Sequence, residues 1–133
     1  MNDHALPRNI MRDTLWSFTG DTFDSSEAFS EAVQQYHMDI TGKDTWEPDL
    51  MVLPAPRVTV AYTYFGYDDE EEATIELTAA NDRDFTALDL LFKIHNAVID
   101  QLSGDDHHFF EGLSLNSAPS GNSPPLYLLD LGS

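Results

Sequence analysis

Apolar residues recur along the chain with two periods, and the switches between them mark the elements. In "GDTFDSSEAFSEAVQQYHMDITG" (20–42), Phe29, Ala32, Val33, Tyr36 and Ile40 fall three or four apart, the spacing of one helical face. Asp24 suits the N-cap, with Glu27 three residues on, and Gly42 suits the stop. "NDRDFTALDLLFKIHNAVIDQLSG" (81–104) repeats the pattern: Asp84 as cap, then Phe85, Leu88, Leu91, Phe92, Val98, Ile99 and Leu102 as a stripe, and Gly104 as the end. Helices are therefore expected near 25–40 and 85–103.

Period two takes over elsewhere. "TLWSF" (14–18), "RVTVAYTYFGY" (57–67), "ATIELTA" (73–79), "FFEGLSL" (109–115) and "LYLLDL" (126–131) are rich in β-branched and aromatic residues. Ile75, Leu77 and Ala79 alternate with Thr74, Glu76 and Thr78. The run "DDEEE" (68–72) between two of these strands predicts the solvated tip of a hairpin, since five adjacent acids repel one another. Residues 43–56 hold three prolines and predict a long connection, with Trp46 and Leu50 to Leu53 packed on the body. Residues 1–12 read as a loose arm, and "NSAPSGNSPP" (116–125) as a mobile turn-forming loop.

The resulting order is β-α-β-β-α-β-β within a single α+β domain spanning 1–133. It suits an antiparallel or mixed sheet of about five strands with both helices on one face, a ferredoxin-like arrangement with one added strand.

A chain of 133 residues can bury roughly two thirds of its unfolded surface, so a core needs no staples. With 41% hydrophobic residues, disorder is not expected. The absence of cysteine excludes disulfides, thiolate metal sites and a cysteine nucleophile. Charge changes the picture most: 24 acids against 6 bases give −18. The acids number 7 in residues 1–40, 9 in 41–80 and 8 in 81–133, so no acidic tail explains the total. No Lys/Arg cluster exists to displace phosphate counterions, which disfavours direct binding to nucleic acid or an anionic membrane. A basic protein partner would be attracted. No apolar run reaches signal-peptide or membrane-span length, so a soluble, cytoplasmic protein is expected.

The densest candidate chemistry is "GDDHHFFEG" (104–112). On a strand, alternate residues share a side. His107 and Glu111 would share one face, while His108 would lie on the other, so no local set of three or four metal ligands converges. Unbroken alternation would also send Glu111 into the core beside Leu113 and Leu115, at a cost for an unpaired carboxylate. A bulge at Gly112 resets the parity, placing Phe110 with Leu113 and Leu115 and turning Glu111 to water. His95 lies beside the second helix's apolar stripe and reads as a packing residue with one hydrogen bond. No nucleophile elbow, phosphate loop, dinucleotide fingerprint or H-E-x-x-H motif is present. "DRDFTALDLLFK" lacks the glycine and final glutamate of a calcium loop.

The leading expectation is thus a binding module without catalysis or cofactor, an inhibitor or immunity-type protein for a basic partner such as a nuclease or other nucleic-acid-binding protein. Its contact set would be Asp68, Asp69, Glu70, Glu71 and Glu72 with Tyr64 and Tyr67, because tyrosine offers contact area at low entropic cost. The rival expectations are a small enzyme or ligand-binding domain with a pocket of His95, His107, His108 and Glu111, and a self-associating domain forming a homodimer. Metal analysis of untagged protein is expected to find no near-stoichiometric zinc, nickel or manganese; such a finding would promote the pocket reading.

Overall fold

The computed structural model describes residues 6–65, 69–102, 108–117 and 123–132. Along the chain come β1 (Asn9–Ile10), α1 (Ser26–Thr41), β2 (Met51–Leu53), β3 (Arg57–Phe65), β4 (Glu70–Thr78), β5 (Phe85–Thr86), α2 (Ala87–Leu102), β6 (Phe109–Ser117) and β7 (Leu126–Gly132). Five strands form one mixed sheet in the order β1-β6-β7-β3-β4, and β2 pairs with β5 separately. The antiparallel pairs β3–β4 and β6–β7 meet through the parallel pair β3–β7. The fold is α+β and follows the expected element order roughly, with Asn9–Ile10 in place of residues 14–18 as the first strand.

One face of the sheet carries the core. Val58, Val60 and Tyr62 of β3, Leu113 of β6, and Tyr127 and Leu129 of β7 are buried there, against Leu90, Leu91, Ile94, Val98 and Ile99 of α2 and Phe29 and Val33 of α1. Each fully buried side chain of this size contributes about 1.5–3 kcal/mol. Strand alternation leaves Thr63, Thr74, Glu76 and Leu128 exposed on the opposite face.

Several local expectations are corrected. Residues 6–12 are not a loose arm: Ile10 is buried in register with Leu113, and the Tyr127 hydroxyl donates to the Pro7 carbonyl at 2.7 Å. Residues 14–18 form no strand. Trp16 and Phe18 reach the core as alternate residues would, but pairing stops at one bridge, Ser17 to Phe109, because the chain turns away at Gly20 with φ 83°. The α1 cap is Ser25, whose Oγ accepts from Ala28 N at 3.1 Å, one residue past Asp24. The buried face of α1 runs Phe29, Val33, His37, so Ile40 is left exposed. In α2, Thr86 rather than Asp84 accepts the first-turn amide, that of Asp89. The 43–56 connection contains β2, with Trp46 and Leu53 buried but Leu50 and Met51 exposed. At the loop expected over 116–125, β6 continues to Ser117 opposite Leu126 at one end, and at the other Ser123 forms a bridge and the Pro125 carbonyl accepts from Thr59 N. Gly104 lies outside the described residues, as do 1–5 and 118–122.

The parity problem at Glu111 is solved by a bulge. The β6–β7 register shifts between Phe110 and Leu113, both buried, and Glu111 is exposed, lying against Gly132. Gly112 has φ 103°, and a Cβ there would stand 2.9 Å from the Ile10 carbonyl oxygen. Bulge and N-terminal strand thus require the same glycine. Gly112→Ala is expected to cost at least about 2 kcal/mol in urea unfolding, from left-handed strain plus the clash. Gly42→Ala, at φ 73° with open space around it, should cost about 1 kcal/mol. Equal losses at the two sites would mean that the β1 backbone yields.

Candidate functional site

The first candidate set lies on the β3–β4 pair. In this register Phe65 faces Glu70, Tyr64 faces Glu71 and Thr63 faces Glu72. Glu70, Glu71 and Glu72 therefore belong to β4 rather than to the hairpin tip, because the ladder continues through them. Asp69 is exposed beside the strand start, whereas Tyr67 and Asp68 lie outside the described residues. Alternation puts Glu70, Glu72 and Glu76 on the open face and Glu71, Ala73, Ile75 and Leu77 on the helix-covered side. The strand pairs with β3 along one side and lies at the sheet's edge along the other. Charged residues on an edge strand discourage indiscriminate strand addition.

Two tyrosines anchor this pair. Tyr62 is buried and its hydroxyl donates to Gln101 Oε1 of α2 at 3.2 Å. Tyr64, half-buried, stands with its ring centroid 6.0 Å from that of Tyr62 and donates to Glu71 Oε1 at 3.2 Å. The Glu71 charge raises the Tyr64 phenol above its ordinary value. Tyr64 therefore presents a neutral, oriented ring between the core and a row of carboxylates.

In the second candidate set, the described members His95 and Glu111 do not come together. His95 is fully buried on α2, Glu111 is exposed on the bulge, and His107 lies outside the described residues. The ring of His108 lies 4.5 Å from that of Phe109, and its carbonyl accepts from Phe18 N at 2.8 Å. Among the described residues no three His, Asp or Glu side chains are placed to hold a metal ion.

His95 is enclosed by Trp16, Phe18, Phe23 and Phe29, with ring centroids 5.7, 5.9, 5.2 and 5.3 Å away. It makes two hydrogen bonds rather than the one expected. Trp16 Nε1 donates to Nδ1 at 3.1 Å, and Nε2 donates to the Asp21 carbonyl at 2.9 Å. Burial pushes this imidazole below its ordinary pKa, opposed by the Asp21 carbonyl. His37, left off the apolar stripe in the sequence, is equally buried: Leu15 N donates to Nε2 at 3.0 Å, and Nδ1 lies 2.7 Å from Thr45 Oγ1. Burial lowers its pKa too, and the Asp44 charge acts in the opposite direction. Its place four and eight residues from Val33 and Phe29 was the signal.

A groove of about 610 Å³ opens between α1 and the start of β6, lined by Arg12, Trp16, Tyr36, Ile40, Phe109 and Glu111 among others. Three separate segments build it, so no local motif announces it. His95 lies behind Trp16, not in the groove. No helix among the described residues is long and apolar enough to cross a membrane. Comparisons with protein-family models, curated proteins and solved structures find no match to this chain.

His95→Phe keeps a flat aromatic ring, somewhat larger than imidazole, but leaves the Trp16 indole N–H and the Asp21 carbonyl unpaired. The expected loss in urea unfolding is about 2–4 kcal/mol. A loss below about 1 kcal/mol would mean that water or a rearranged partner satisfies both groups.

Proposed function

We propose that this chain is a non-catalytic binding protein of the cytoplasm that captures a basic protein, in the manner of an inhibitor or immunity protein for a nuclease or other nucleic-acid-binding partner. The observation that carries this reading is the edge strand β4. It exposes Glu70, Glu71, Glu72 and Glu76, and its free side can accept hydrogen bonds along the backbone. An extended segment with Lys or Arg at alternate positions matches that edge, with cations facing Glu70, Glu72 and Glu76. A second copy of β4 would set acid near acid, so this edge favours a foreign partner over self-pairing. The net charge of −18 supplies long-range attraction for a basic protein and repulsion toward nucleic acid. Of the enzyme alternative's described side chains, His95 is buried and Glu111 is exposed, so these two share no cavity.

The test is kinetic. A partner recovered by affinity capture is measured against wild type and against a D68N/D69N/E70Q/E71Q/E72Q variant at several salt concentrations. Association of the variant is expected to be slower by roughly tenfold or more at low salt, with a smaller change in dissociation. The difference should shrink as the Debye length falls to about 8 Å at physiological ionic strength. Stability should be unchanged or slightly higher, since Asp69, Glu70, Glu71 and Glu72 are exposed and adjacent acids repel one another. Equal association rates at low salt would remove the acidic strand from recognition.

A further inference from the structure

The segment from Leu15 to Phe23 crosses both helices without belonging to a regular ladder. Side chains hold it. His37 of α1 accepts from Leu15 N, His95 of α2 accepts from Trp16 Nε1 and donates to the Asp21 carbonyl, and Asn96 of α2 accepts from Phe23 N at 2.9 Å and donates to Phe23 O at 3.0 Å. Two further backbone bonds, Phe18 N to His108 O and Phe110 N to Trp16 O, tie its middle to β6. We propose that His37 and His95 are the two halves of an acid-sensitive latch, closed while both rings are neutral, that secures residues 15–22 over the helices.

The chemistry of the partners fixes the state of both rings. A backbone amide and an indole N–H can only donate. His37 Nε2 and His95 Nδ1 must therefore each present a lone pair. The other nitrogen of His95 faces a carbonyl, which can only accept, so Nε2 carries the proton. His37 carries its proton on Nδ1 and donates to Thr45 Oγ1. The rings are opposite tautomers, both neutral. A second proton on either ring turns its lone pair into an N–H that meets another donor. The bond to Leu15 or to Trp16 is then lost and replaced by repulsion.

The surroundings determine when this happens. The rings packed on His95 are Trp16, Phe18 and the segment's last residue Phe23, with Phe29 from α1, and its contact with Asp21 is through the carbonyl. Such a cage gives a cation little compensation. His37 has Thr45 and Trp46 beside it, and the Asp44 carboxylate as the charge that acts on it. Along the segment the nearest charged residues are Arg12 and Asp13 on one side and Asp21 and Asp24 on the other. Both imidazoles are held below their ordinary value by burial. Acid therefore favours the released segment, whose rings titrate normally, and the latch opens only below the ordinary imidazole value of about 6.5. Asn96 does not titrate, so Phe23 stays clamped and serves as the pivot. Release would bring Trp16 and Phe18 out of the core and enlarge the groove that Trp16 lines.

The test is an NMR titration of the full chain from about pH 7.5 to about pH 4.5, spanning the imidazole range. The Leu15 amide and the Trp16 indole N–H should lose protection together, in a transition steeper than a one-proton curve. Amides of Val58, Val60 and Ile75 in β3 and β4 should stay protected through it. In a His37→Gln, His95→Asn variant, carboxamide oxygens replace the two accepting nitrogens and do not titrate; the transition should vanish or move down by at least about one pH unit. If that variant does not fold, the wild-type titration decides alone, with the imidazole nitrogen shifts reporting the two tautomers. The latch is overturned if either ring titrates near 6.5 while the Leu15 and Trp16 signals stay put. It is equally overturned if β3 and β4 open at the same pH, or if a folded variant keeps the wild-type transition.

Discussion

The hydrogen bond from the Trp16 indole to His95 joins residues 79 apart in sequence and sits where three parts of the molecule meet. Phe29 brings α1 to it, His95 brings α2, and Trp16 and Phe18 bring the segment that borders β6. An apolar residue at position 95 would fill the same space. It could not satisfy the Trp16 N–H and the Asp21 carbonyl, and both would then be buried without partners. The neutral imidazole is the one ordinary side chain that offers an acceptor and a donor on opposite edges of a flat, packable ring. The aromatic cluster is therefore held by direction as well as by area. α1 and α2 meet across it, where Phe29 lies against Phe92.

A second constraint operates at the other end of β6. The N-terminal strand must pass close to the bulge, with the Ile10 carbonyl and Arg12 against Gly112. Met11, between them, takes φ 55°, and Thr14 N returns to its carbonyl at 3.1 Å. The chain turns out of β1 there and rejoins β6 at Ser17. The edge of β6 is thus covered in two pieces on either side of the bulge, first by β1 and then by the Trp16–Phe18 stretch. The sheet's outer strands are then the two-residue β1 and the long β4 with its acids.

How much of this was legible follows from what local spacing can encode. The clash of parity between Glu111 and Leu113 was readable, and with it the bulge, because both belong to one strand. The strands around Tyr62 and Ile75 were readable for the same reason, as was the end of α1 at Gly42. Ile10 was missed because a single apolar residue among polar neighbours carries no period. His37 was missed because a histidine on an apolar stripe counts as a gap in it, and Ile40 was wrongly placed inside as a result. The acids at 70–72 looked like a turn by composition, yet the ladder to Tyr64 and Phe65 runs through them, and pairing overrides charge repulsion when each carboxylate keeps its water. The groove between Tyr36 and Phe109 joins segments far apart in the chain, and no window of sequence holds them together.

The position of β7 has a consequence for how the chain is made. It is synthesised after every other described strand, yet it lies third of five in the sheet, between β6 and β3. Until residues 126–132 leave the ribosome, β3 and β6 each keep an apolar strand edge with no neighbour. The β3–β4 pair can form early, since its contacts are local, but it cannot join β6. A nascent chain therefore carries the open edge of β3, joined later by that of β6, until β7 emerges, and its many carboxylates then act against association of one unfinished chain with another.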